Sequence, residues 1–329
     1  MRDEDDLGTP TEAEVELALD EVLGPEVARD PLRDGSGRLR LSFTRVDTFE
    51  RCPRRFRYQY VDGLPQAPAP QLSFGTSIHT TLEWIFDRKH PVLPSLEDTL
   101  RALYDAWETE GYEGRDRDEQ LVAYQHARDV VTRFHARLAT EGLRSPVATE
   151  AWFELPFGDD LVVVGAIDRV DADEDGTLHV IDYKTNRKAR TRAQVRDSLQ
   201  LAIYALAVEE LFGHLPRTVG LDFVVPGTLV RVDVADLDLA AVGPRLAAVA
   251  ARIVAGEDQP TPHRLCDWCD FRAICPAWAA ESDEAEADEV LGRAVVTRDA
   301  LRRTVVRDAR RLRQLDVTVE RLRRELGGG

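Results

Sequence analysis

Two apolar segments that run directly into charged residues constrain this chain more than anything else in it. They are VVVGAIDRVD (162–171) and LHVIDYKT (178–185), joined by the turn DADEDG (171–176). Both are short and rich in β-branched residues, so they read as strands over 161–170 and 177–183, paired by the Asp/Gly turn as an antiparallel hairpin. An ionised group inside such a strand is costly unless it is paired or holds a cation. Asp168 lies at the end of the first strand and Asp182 at the end of the second, and a divalent ion cancels the repulsion between two such carboxylates. Lys184, two residues beyond Asp182, faces the same side of its strand. A metal and an ammonium group held side by side can orient a water and offset charge on a phosphate. The spacing alone also fits a salt-bridged surface hairpin.

Around the hairpin the pattern alternates between periods. Folding starts near Leu39. Thr44, with Asp47 three residues on, caps a helix running to about Val61 with Cys52 near its middle. LPQAPAP (64–70) reads as a proline-rich loop, and helices are expected over 75–89 (Ile78, Leu82 and Ile85 on one face), 96–107 and 119–140. A strand over 147–157 precedes the hairpin; an amphipathic helix over 195–212, strands over 219–224 and 229–234, and a helix over 237–255 follow it. Such an order implies an α/β chain of the α+β kind, and 329 residues with 43% hydrophobic content suffice for a large core. Residues 1–38 read as an acidic flexible arm and 281–290 as an acidic linker. In the final segment, 291–329, Leu301, Val305, Leu312, Leu315, Val319, Leu322 and Leu326 follow heptad spacing, with Asp308 the polar interruption. That helix either docks on its own chain or self-associates through 301–326. No run approaches the ~18 apolar residues of a membrane span, and the N-terminus lacks a secretory pattern. A cytoplasmic protein with no membrane contact is expected.

Net charge is −17, which disfavours a polyanionic partner unless the basic residues are concentrated. They are: residues 36–60 hold seven arginines against two acids, and 184–196 hold six bases and no acid. Four cysteines, Cys52, Cys266, Cys269 and Cys275, favour metal binding over disulfides in a cytoplasmic chain. No G-x-x-x-x-G-K-[ST] loop is present, so a nucleotide-driven motor of that kind would have to be another chain.

Asp168 followed after thirteen residues by Asp182-Tyr183-Lys184 resembles the PD-(D/E)XK nuclease superfamily, with Ile167-Asp168 in place of its Pro-Asp pair. GAIDRVD and VIDYKT resemble its RecB-like branch, which includes the nuclease domains of bacterial recombination helicases and the four-cysteine nucleases associated with CRISPR. FGTSIHTTLEW (74–84) resembles the branch's upstream helix, with His79 matching the histidine that completes the metal shell and Glu83 one turn on. SLQLAIYALA (198–207) resembles its Gln-x-x-x-Tyr helix through Gln200 and Tyr204. Cys266-x2-Cys269-x5-Cys275-Pro276, with the distant Cys52, resembles its iron–sulfur staple; zinc is the alternative for four thiolates.

The resemblance implies a restriction-endonuclease-like core, a mixed sheet flanked by helices, over about 39–280. It implies a metal-dependent DNA nuclease, an exonuclease on single-stranded DNA or DNA ends in repair or recombination. Mg²⁺ or Mn²⁺ would be held by His79, Asp168, Asp182 and the Tyr183 carbonyl, with Lys184 polarising the water and Gln200 and Tyr204 beside them. Glu150 and Glu154 are expected to face solvent. Arg187, Lys188, Arg190, Arg192 and Arg196 are placed to track DNA, as are Arg54, Arg55 and Tyr58, with Phe56 packing near Cys52. A helicase partner chain fits a protein without a motor. Two other readings stay open: a non-catalytic DNA-binding scaffold of a helicase–nuclease complex, and a CRISPR-associated adaptation nuclease.

Overall fold

The computed structural model describes residues 30–87, 89–144, 146–278 and 287–301. The chain divides into two compact units. The larger comprises Leu32–Phe56 and Gln66–Thr261 and carries a six-stranded mixed sheet. Its strands are β1 (Leu39–Leu41), β2 (Ala148–Phe157), β3 (Leu161–Ala172), β4 (Leu178–Lys184), β5 (Thr218–Phe223) and β6 (Thr228–Asp233). Its helices are α1 (Phe43–Arg51), α2 (Pro70–Ile85), α3 (Leu96–Asp105), α4 (Arg117–Glu141), α5 (Leu199–Phe212) and α6 (Val242–Val254). The expected mixed sheet flanked by helices is therefore what the chain forms.

β3 organises the sheet. One edge pairs along its length with β2, antiparallel from Ala148↔Val170 to Phe157↔Leu161. The other edge is shared: β1 pairs parallel with residues 161–163, and β4 pairs antiparallel from Arg169↔Ile181 to Ala172↔Leu178. Beyond Ile181, β4 leaves β3 and continues only beside β5, from His179↔Thr218 to Lys184↔Phe223. Asp168 sits where the two strands fork. Gly176, with φ of +84°, closes the hairpin by donating to the Asp173 carbonyl at 3.0 Å, a conformation that favours glycine.

Helices cover both faces. Ile78, Leu82 and Ile85 of α2, Leu103 of α3 and Val130, Val131, Phe134 and Leu138 of α4 form one core with Ile181 and Tyr183 of β4. On the other face α5 packs on β2 and β5, with α1 and α6 alongside. α5 is buried nearly all round, from Leu199 to Val208, which a helix on a sheet between two other helices requires.

Several boundaries differ from the sequence pattern for identifiable reasons. Ser42, not Thr44, caps α1, its side chain accepting from the Arg45 amide. The helix ends at Arg51 because Pro53 confines Cys52 to extended backbone (φ −159°, ψ 104°), so Cys52 is a C-cap and not a mid-helix residue. Pro70 belongs to the first turn of α2, where a missing N–H costs nothing. The single amphipathic helix expected over 195–212 is two elements, a turn over Arg192–Arg196 with a Thr191/Gln194 capping box, then the buried α5.

The smaller unit includes a π-helical turn, Arg57–Val61, and two 3₁₀ turns, Cys266–Trp268 and Arg272–Ile274. A helix occupies 287–301, starting within the expected acidic linker. The acidic arm through residue 29 and the heptad positions after Leu301 lie outside the described residues.

Candidate active site

The fork leaves Asp168 without a strand partner on its β4 side, and the hydrogen bond that a ladder would have made is replaced. The Tyr183 amide donates to Asp168 Oδ2 at 2.7 Å. His79, from α2, brings Nδ1 to 3.5 Å from the same oxygen. Glu150 of β2 completes a group: one ligand atom each from His79, Glu150 and Asp168 all lie within 4.8 Å of one another. Glu150 is exposed, as expected, and its carboxylate also reaches this group. The carboxylate has φ of +44°, left-handed backbone that a glutamate adopts only where its surroundings hold it there. Glu154 does face outward, 3.4 Å from Arg40. Glu83 is exposed and lines a cavity beside the group with Thr80, Trp84, Asp87 and Thr149.

Asp182 is placed differently. Its carboxylate is nearly inaccessible and turned to α5 and Lys184: Gln200 Nε2 donates to Oδ1 at 3.0 Å, and Lys184 Nζ lies 2.6 Å from Oδ2. That contact is an ion pair, and Oδ2 accepts no hydrogen bond. Gln200 also reaches the Tyr204 hydroxyl at 3.0 Å. Asp182, Lys184, Gln200 and Tyr204 thus form one chain, next to the group of His79, Glu150 and Asp168.

The electrostatics of the site suit a cation. Burial first, then the Asp182 charge, pushes the Asp168 carboxyl up to about 8. Glu150 is raised by desolvation and then by Glu83 and Asp182. Burial lowers the pKa of His79, favouring the neutral imidazole that binds metals. Tyr204 is raised well above its ordinary value, by burial and then by Asp182. Two carboxylates that resist ionisation, a neutral imidazole and a buried carboxylate oxygen that accepts no hydrogen bond are a donor set that fits a divalent cation.

The basic residues divide. Arg187, Lys188 and Arg190 are exposed on the loop that follows Lys184. Arg192 instead donates to the Arg231 carbonyl at 3.1 Å and lies 3.5 Å from Asp236, and Arg196 pairs with Asp197 at 2.9 Å. Arg54 pairs with Asp258 at 3.2 Å, and Arg55 is half-buried. Tyr58, expected as a base-stacking platform, is engaged in packing: its hydroxyl donates to the Ile274 carbonyl at 2.9 Å and its ring lies 5.5 Å from Phe271. Phe56 is buried against Phe49. The four cysteines form no disulfides. Cys266 begins one 3₁₀ turn, Cys269 caps it, and Cys275 caps the next. The His263 amide lies 3.3 Å from Cys266 Sγ.

A metal-fitting group at a strand fork, next to an Asp-x-Lys strand on a helix-flanked mixed sheet, defines a class of phosphodiester-cleaving proteins. The chain belongs to the PD-(D/E)XK nuclease superfamily, whose model matches residues 40–276. Among curated proteins it is similar to the Gene 69 protein of Mycobacterium phage D29, 27% identical over 268 residues (72% of this chain, 96% of that one). It is equally similar to the Gene 69 protein of Mycobacterium phage L5, 27% identical over 289 residues with the same coverage. The crystal structure of SSO0001 overlaps 81% of this chain and 96% of its own, at 18% identity and a TM-score of 0.38. No helix among the described residues is long and apolar enough to cross a membrane.

Proposed function

We propose that this protein is a metal-dependent DNA nuclease, an exonuclease acting on single-stranded DNA or DNA ends in repair or recombination. The observation that carries the reading is the convergence of His79, Glu150 and Asp168 beside the buried Asp182–Lys184 pair. These three side chains would hold Mg²⁺ or Mn²⁺, with Asp182 and the Tyr183 carbonyl as further oxygens; an imidazole in the set favours Mn²⁺. When bound, the ion supplies Lewis acidity, lowering the pKa of an attacking water and screening the phosphate.

The chain's own residues do the rest. Lys184 places a cation where negative charge grows on the phosphate in the transition state. Asp182 holds that ammonium group, Gln200 fixes the other Asp182 oxygen, and Tyr204 fixes Gln200. Each group is pre-set, so little reorganisation accompanies the reaction. Arg187, Lys188 and Arg190 lead the phosphate backbone away from Lys184, and Arg192, Arg196, Arg54 and Arg55 extend the track, Arg192 and Arg196 exchanging exposed acidic partners for phosphates. Cys52, Cys266, Cys269 and Cys275 are the ligands of a 4Fe–4S cluster, with zinc the alternative; the support is four cysteines outside any disulfide, in the branch's order along the sequence. A helicase supplied by another chain and self-association through 301–326 complete the proposal.

The test is cleavage of end-labelled single-stranded and duplex DNA with Mn²⁺, Mg²⁺ or EDTA, comparing wild type with Lys184→Ala. Metal-dependent cutting that falls at least ~1,000-fold in the variant supports the nuclease, and the ladder from each labelled end gives the polarity. DNA binding without cutting on any substrate overturns catalysis in favour of a scaffold.

A further inference from the structure

Behind the metal ligands lies a charged network that the chemistry above does not use. Arg169 and Asp171, on the same face of β3, are 7% and 1% exposed. Arg169 Nη2 donates to Asp171 Oδ2 at 2.8 Å, and Arg169 Nη1 donates to the Tyr183 hydroxyl at 2.8 Å. The guanidinium also lies 4.1 Å over the Phe86 ring. On the next strand Asp222, directly opposite Tyr183, is buried and salt-bridged to Arg137 of α4. Burying such pairs costs desolvation, and well-packed apolar residues serve stability as well or better. Asp171 Oδ1 and Arg169 Nε are in addition left without partners. Stability alone does not account for this arrangement.

Its geometry does have one consistent output. Tyr183 is the residue through which the network reaches the site. Its hydroxyl is held by Arg169 and its amide holds Asp168. Its ring meets His79 edge-to-face at 6.1 Å and Phe134 at 6.0 Å. One residue thus meets two members of the metal-fitting group, Asp168 through its backbone amide and His79 through its ring, and Arg169 anchors the far end of the side chain. We infer that Arg169 and the Tyr183 side chain are positioning residues that brace Asp168 and His79 for the divalent ion, with Asp171 fixing the guanidinium. This rests on the metal reading of His79 and Asp168.

Groups that orient metal ligands from behind typically contribute 10–100-fold in metal affinity or activity. The experiment measures Mn²⁺ affinity by calorimetry, single-turnover DNA cleavage and thermal unfolding on the full chain, for wild type, Tyr183→Phe and the double variant Arg169→Met/Asp171→Leu. The double variant replaces the buried pair with apolar side chains and keeps the fold testable if the single change destabilises it. In both variants we expect Mn²⁺ affinity and cleavage rate to fall ~10–100-fold, with DNA KM changed less than about threefold. Wild-type Mn²⁺ affinity and rate in a variant that melts earlier would overturn the brace and leave a structural role only. Asp168→Ala separates the two claims. If it binds Mn²⁺ as wild type does, the metal reading is wrong and the brace falls with it; if it loses Mn²⁺ while Tyr183→Phe keeps it, only the brace is wrong.

Discussion

Asp168 shows how strongly burial and one neighbouring charge can act on a single carboxyl. Its carboxyl is raised from 3.8 to about 8, by burial first and Asp182 next. In the metal-free protein the folded state therefore binds a proton that the unfolded state has released between those two values. The associated stability is fully present below about pH 4 and is lost as pH rises through the folded value near 8. Asp168→Asn removes the titrating group. In EDTA this variant should melt higher than wild type at pH 8, by about 2–4 °C for each ~1 kcal/mol relieved, and the gap should close towards pH 5. A melting-temperature series against pH reads this directly. The same substitution should abolish metal-dependent cleavage, since it removes a carboxylate from the proposed metal shell.

At the level of elements, the site is made by a fork in the sheet and by one helix that docks beside it. α2 carries His79, and its inward face includes Leu82, 1% exposed and in one core with Ile181 and Tyr183 of β4. Leu82→Ala should cost about 2–5 kcal/mol in urea unfolding and loosen His79 with it, so Mn²⁺ affinity should drop even at temperatures where the variant is folded. Much of this layer was legible in the sequence. The hairpin, the Asp182/Lys184 pairing and the apolar face of α2 follow from side-chain period and turn chemistry, which are local. Less legible were features set by contacts across the fold. Glu150 is an ordinary acid on a strand until β2 lays it opposite Asp168. Arg169 and Asp171 read as polar positions of a half-exposed strand until helices cover that face. The break at Cys52 was legible in principle, since Pro53 disfavours helical backbone at the residue before it and opens a new turn, Pro53–Phe56.

For the molecule as a whole, a net charge of −17 has to be reconciled with a polyanionic substrate. The reconciliation is local: Arg187, Lys188 and Arg190 stand exposed immediately after β4, while other basic side chains such as Arg192, Arg196 and Arg54 are paired with acids. Replacing the three with alanine should reduce the slope of log affinity against log salt by about 2 for single-stranded DNA, measured by fluorescence anisotropy, without altering Mn²⁺ affinity. The central claim is that His79, Glu150 and Asp168 together hold the ion that drives cleavage. It is tested most directly by the Mn²⁺ dependence of single-turnover cleavage in wild type and Glu150→Gln. A curve displaced at least ~10-fold to higher Mn²⁺, approaching the wild-type rate at saturation, is the expected result. Superimposable curves, with the same half-saturating Mn²⁺ in both proteins, would contradict it.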